Sequence, residues 1–181
     1  MCFETTRLVA QLFSKGNEMT AFHDGRAEGT KAEVYAELVR QAKGLFEGER
    51  DVIANTANLS ALLGYHLPDL NWSGVYFLKG NELVLGPFQG KPACVRIAVG
   101  KGVCGTSVAK RESVLVPDVH AFPGHIACDS ASNSELVVPL LKEERVLGVI
   151  DLDSPSTNRF DSDDQRGVEA LAKLLVDACS W

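Results

Sequence analysis

Cys94, Cys104 and Cys128 are the residues of this chain best suited to chemistry, with Glu135, Asp151 and Asp153 following them. A cysteine serves a reaction when its sulfur is accessible, ionises readily and has a second sulfur within reach. Cys128 falls in a stretch without hydrophobic period, Cys94 at the start of an extended segment and Cys104 in a glycine-rich bend. All three therefore sit at element ends that could converge. The competing reading is a small buried apolar side chain, and it suffices for Cys2 and Cys179. Glu135 opens one strand, and Asp151 and Asp153 stand two apart at the end of its hairpin partner, hence on one face. Carboxyls crowded in this way raise one another's pKa, which leaves a proton donor near neutral pH. Otherwise they cap the turn before Pro155 or face solvent.

Other chemistries fit less well. His120, His125, Cys94, Cys104 and Cys128 offer zinc-ligand types, but the cysteines lie ten and twenty-four residues apart, without the close pairs of a structural zinc site. No metal is expected. Gly100 to Gly105 is glycine-rich yet matches neither the dinucleotide fingerprint nor the phosphate-binding loop. A Gly-x-Ser-x-Gly elbow is absent, which sets aside the serine hydrolases.

The elements that must position these residues follow from periodicity. Val34, Leu38, Ala42 and Leu45 recur at helical spacing from Lys31, and a second apolar stripe runs from Val52 to Leu63, closed by Gly64 and Pro68. Trp72 to Leu78 and Glu82 to Phe88 flank the turn Lys79-Gly80-Asn81 and predict a hairpin. Val95 to Val99 predicts a strand, Thr106 to Lys110 a short helix, and Ser113 to Val116 a strand stopped by Pro117. Asp118 to Asn133 predicts a long loop of the kind that usually carries function. Leu136 to Leu141 and Val146 to Leu152 predict a second hairpin. Ser162 with Gln165 reads as a capping box opening a final amphipathic helix. This order lacks strand and helix alternation, so the fold class is α+β with a largely antiparallel sheet.

The chain has 181 residues, 45% hydrophobic and 23% charged, enough for one domain with a good core. Its 18 basic against 24 acidic residues, net charge -6, oppose nucleic acid and anionic lipid as partners. No apolar run approaches a membrane span. The odd cysteine count and the acid-containing N-terminus predict a cytoplasmic protein without a secretory leader. Met19 offers an alternative start.

Several of these segments together resemble a known family. They are Asn71-Trp72-Ser73-Gly74-Val75-Tyr76, the run Gly86 to Cys94, Gly100 to Gly105, Pro117-Asp118-Val119 with Phe122 to Asp129, and Ser134-Glu135 with Asp151-Leu152-Asp153-Ser154. They are similar to the free methionine-R-sulfoxide reductases, thiol enzymes built on a GAF domain and acting against oxidative damage. Val137-Val138-Pro139-Leu140 and Gly148-Val149-Ile150-Asp151 carry the more general GAF pattern. The resemblance implies residues 31–181 as the GAF domain, with a six-stranded antiparallel sheet flanked by helices, and residues 1–30 as an N-terminal extension. It implies no cofactor, a homodimer in many members, and thioredoxin as reductant. It further implies that Cys128 attacks the sulfoxide sulfur and that the resulting sulfenic acid condenses with a resolving cysteine, Cys94 first and Cys104 as the alternative. Trp72 and Tyr76 would wall the substrate pocket, with Glu135, Asp151 and Asp153 around the sulfoxide oxygen and the amino group. The rival from another class is a non-catalytic GAF sensor of a small ligand or of redox state. A ligand sensor has no need of the cysteines and is usually joined to an output domain, whereas only Ser180 and Trp181 follow the last helix.

Overall fold

The computed structural model describes residues 25–126 and 129–181. Cys128, Cys2 and most of the proposed extension therefore lie outside the described residues.

Helix α1 (Lys31–Phe46) starts at a capping box in which Thr30 and Glu33 each satisfy the other's backbone amide. Its apolar face buries Tyr35, Leu38, Ala42 and Phe46. Helix α2 (Val52–His66) is capped by Asp51, whose carboxylate accepts from the Ala54 amide at 2.8 Å. It continues through Gly64 to His66, and Leu67, the extended residue before Pro68, caps it. The proline ends this helix, since it excludes the helical conformation from its predecessor and glycine does not.

Six strands form one antiparallel sheet in the order β3-β2-β1-β6-β5-β4. They are β1 (Trp72–Lys79), β2 (Glu82–Gly90), β3 (Arg96–Ala98), β4 (Val114–Val116), β5 (Ser134–Lys142) and β6 (Arg145–Ser154). Both expected hairpins are present, and β1 and β6 join them at the sheet centre. Helix α3 (Gly102–Lys110) begins four residues before the expected Thr106, so Cys104 belongs to its first turn and not to a bend. The reason is Gly105: a Cβ there would lie 2.4 Å from the Ala98 carbonyl oxygen, so only glycine lets the turn run against the strand. Among the described residues, the long connection after β4 holds one 3-10 turn, Val119–Ala121. Its ends are tied to the sheet through the amide of Val119 on the Asn133 carbonyl and the amide of Asn133 on that of Ser154.

Helix α4 (Ser162–Ala178) is capped by Asp161 with Asp164, one residue earlier than the Ser162 and Gln165 box. The Asp161 carboxylate accepts from the amides of Asp163 and Asp164, and the Asp161 amide donates back to Asp164 at 2.9 Å. No helix among the described residues is long and apolar enough to cross a membrane.

Alternation along the strands gives the sheet two unlike faces. Val75, Leu136, Val138, Leu140, Ile150 and Leu152 meet α1, α2 and α4 in an aliphatic core. The opposite face carries Trp72, Tyr76, Val137 and Val149 beneath α3, with Glu135, Asp151 and Asp153 at one end.

Candidate active site

Strand register brings the three carboxyls together. Glu135 stands opposite Asp153, Val137 opposite Asp151, and on the other side Trp72 opposite Asp153 and Gly74 opposite Asp151. The period of two turns all three acids away from the helical core. Glu135 and Asp151 are each 6% exposed and Asp153 is partly buried. Among the described residues, no Lys or Arg lies within salt-bridge distance of any of them.

Burial without a cation raises the pKa of all three well above the usual carboxylate range. Negative neighbours add to the effect: Asp153 acts on Glu135, Glu135 on Asp151, and Asp151 on Asp153. Cys104 lies beside them, buried, its Sγ 4.0 Å from Glu135 Oε1. Burial and then the Asp151 and Glu135 charges push its thiol up, which makes it a poor nucleophile. Asp151 Oδ1 is buried with no hydrogen-bond partner among the described residues.

The acids line two adjoining clefts. One, with a free volume of about 30 Å³, is bounded by Ile97, Gly102, Cys104, His125, Ser132 and the three carboxyls. The other, of about 10 Å³, lies between Trp72, Tyr76, Lys91, Asp129, Asp151 and Asp153. Trp72 stacks between Tyr76 and Phe88, with ring centroids 5.8 and 5.3 Å away. A Cβ at Gly74 would sit 2.4 Å from the Trp72 ring, so glycine is what allows the indole to lie across the strand. The indole N–H donates to the Lys91 carbonyl at 3.2 Å, and the Tyr76 hydroxyl to the Cys94 carbonyl at 3.0 Å. Both rings thus line the cleft while being packed in the second core.

Cys94 is engaged in a disulfide, whereas Cys104 and Cys179 carry free thiols. Cys179 is buried and accepts from Asn55, as expected of a packing residue. The two histidines separate: exposed His120 contacts Asn133, while His125 Nε2 lies 3.5 Å from Glu135 Oε2. Burial lowers the His125 pKa, so at neutral pH this is an imidazole facing a carboxyl and not an ion pair.

Residues outside the initial set complete the site. Asp129 accepts from the Ala131 amide, Lys91 Nζ and Asn71 Nδ2, and these donors hold its pKa below the usual value. It is the one acid of the clefts kept ionised. Asn71 also donates to Ser132, which in turn hydrogen-bonds Asp153. Asn71, His125 and Asp129 stand inside the recognisable sequence segments, but only the fold shows what they touch.

The GAF domain family profile matches residues 32–178. The free methionine-R-sulfoxide reductase of Escherichia coli is 52% identical over 145 residues, covering 80% of this chain and 88% of that protein. The chain belongs to the free methionine-R-sulfoxide reductase family of GAF domains. The Saccharomyces cerevisiae free methionine-R-sulfoxide reductase is 42% identical over 157 residues, 82% of this chain and 87% of its own length. Among solved structures, the free methionine-R-sulfoxide reductase from Neisseria meningitidis in complex with its substrate superposes with a TM-score of 0.83 at 42% identity. That match covers 88% of this chain and 95% of the other. Membership in this family and the acid-lined cleft are independent observations, one from sequence similarity and one from geometry.

Proposed function

We propose that this chain reduces free L-methionine-R-sulfoxide to L-methionine. The observation that carries the reading is the buried cluster of Glu135, Asp151 and Asp153, whose pKa values burial raises, beside a cleft walled by Trp72. A sulfoxide oxygen must gain protons as its bond to sulfur breaks, and buried neutral carboxyls supply them.

In this reading the Cys128 thiolate attacks the sulfoxide sulfur. With one proton taken up, the oxygen passes to the cysteine sulfur as sulfenic acid and methionine departs. A second thiol then displaces water and closes a disulfide. Cys94 is the better resolving residue, because it already stands in a disulfide while Cys104 is a free thiol with a raised pKa. Thioredoxin would reopen the bond, which places the protein in a reducing compartment such as the cytoplasm. The homodimer that the resemblance implies remains part of this proposal, and light scattering of the purified chain tests it.

The test is chiral chromatography of free methionine sulfoxide incubated with the protein, thioredoxin, its reductase and NADPH. Loss of the R epimer with the S epimer left intact is expected. Equal loss of both epimers, or of neither, would overturn the reading and favour a GAF sensor.

A further inference from the structure

We propose that Cys104, Glu135 and Asp151 form a binding site for zinc, occupied in competition with the substrate. One ligand atom from each of the three lies within 4.8 Å of the others, and all three residues are buried. They come from different elements: Cys104 from the first turn of α3, Glu135 from the start of β5 and Asp151 from β6.

A second observation points to a ligand. Asp151 Oδ1, on a side chain only 6% exposed, lines the cleft and has no hydrogen-bond partner among the described residues. A buried carboxylate oxygen left without a donor is costly, and a dication satisfies it. The donor set selects the ion. A thiolate with two carboxylates suits a borderline-soft cation, whereas calcium and magnesium take oxygen ligands. Three protein ligands leave a fourth zinc position open, and His125 Nε2, 3.5 Å from Glu135 Oε2, is near enough to be drawn in. On binding, the metal takes the place of the Cys104 thiol proton and of protons on the two carboxyls, and nothing is oxidised or reduced. Close cysteine pairs mark structural zinc sites, and a site of one thiolate and two carboxylates needs none.

Cys104 remains a free thiol while Cys94 is in its disulfide, so the site is complete in the oxidised chain. Binding stands on the geometry alone. Its consequence, that zinc and substrate exclude each other, rests on the reading of the cleft as the sulfoxide site.

The full chain, oxidised so that only Cys104 and Cys179 among the described cysteines are free, is titrated with Zn²⁺ against a chromophoric chelator. It is titrated separately with Cd²⁺, whose bond to a thiolate gives a near-ultraviolet charge-transfer band. One Zn²⁺ per chain is expected, with affinity reduced about a hundredfold by Cys104→Ser and at least about tenfold by Asp151→Asn. The cadmium band should vanish in Cys104→Ser and persist in Cys179→Ser. Near-ultraviolet circular dichroism confirms folding, and Asp151→Asn decides the matter if Cys104→Ser does not fold. Free methionine sulfoxide should weaken zinc binding, and Ca²⁺ should not compete. Unchanged affinity in both variants, or a cadmium band surviving Cys104→Ser, overturns the site. No zinc binding by a chain that turns over sulfoxide refutes this inference alone, whereas zinc binding by a chain without turnover refutes the proposed function alone.

Discussion

Asp164 and Asp151 are both buried carboxyls, and their surroundings differ. Asp164, at 0% exposure, accepts from the Tyr35 hydroxyl at 3.0 Å, Arg159 Nη1 at 3.1 Å and the Asp161 amide at 2.9 Å, and it meets Lys31 Nζ. Every lone pair that burial strips of water has a donor, and two cations balance the charge. Asp151, at 6% exposure, has an orphaned oxygen and, for neighbours, Glu135 and the Cys104 thiol. The first arrangement is complete within the protein and joins α1 to α4. The second leaves one carboxyl oxygen at the cleft without a donor among the described residues. Buried charge by itself is therefore a poor guide to function. What distinguishes a site is burial whose compensation is missing.

The largest expected effect breaks the active side of the comparison outright. Cys128→Ser should abolish turnover, since a hydroxyl near neutral pH is far less nucleophilic than a thiolate. Cys94→Ser should instead release about one methionine per chain and then stall as sulfenic acid, unless Cys104 takes over. Quenched single-turnover reactions with mass spectrometry separate the two. A first turnover kept in Cys128→Ser and lost in Cys94→Ser would reverse the assignment.

A smaller effect sharpens what the cleft recognises. The free ammonium of an amino acid can make a charge-assisted contact with the acid-lined cleft that an amide nitrogen cannot, and losing one such contact typically costs ~1.5–3 kcal/mol. N-acetyl-methionine sulfoxide and oxidised peptides should react at least about tenfold more slowly than the free amino acid. Comparable rates would show that the acids do not read the amino group.

The smallest effect is one of sign. Asp161 is held down to about 2, chiefly by its hydrogen bond from Lys31, so its stabilising contribution is present above its unfolded pKa and lost as pH falls through the folded one. Glu135, Asp151 and Asp153 are shifted upward, so their contribution is present at acid pH and lost as pH rises through their folded values. In chelator-treated buffer, Asp161→Asn should lower the melting temperature mainly where the wild-type carboxylate is ionised. The stability of Asp151→Asn relative to wild type should grow as pH rises above the usual carboxylate range. Parallel profiles for the two variants would remove the contrast.

How far the sequence reveals this molecule depends on whether a feature is local. The hairpins of β1 with β2 and of β5 with β6 were legible, because alternation over eight to ten residues fixes which side chains share a face. That same period placed Asp151 and Asp153 together and aligned them with Glu135. The start of α3 was not legible, since it depends on how closely Gly105 approaches Ala98 in space. The α4 cap was misplaced by one residue because Asp161 with Asp164 lies outside the usual Ser or Thr signature, and because Lys31, which helps complete the network, comes from elsewhere in the fold. The contact of Cys104 with Glu135 spans 31 residues, and the missing partner of Asp151 Oδ1 is a property of the packed structure alone.

The claim that uncompensated burial marks the working acid is tested most directly by measuring melting temperature and kcat together for Asp151→Asn and Asp164→Asn. At neutral pH, Asp151→Asn should keep or raise the melting temperature while lowering kcat on saturating methionine-R-sulfoxide at least about a hundredfold, the scale of a lost general acid. Asp164→Asn should lose about 3 kcal/mol of stability, the lower end for a broken buried pair because Lys31 is partly exposed, and keep kcat within about twofold where it is folded. A large stability loss with normal kcat in Asp151→Asn would contradict the account.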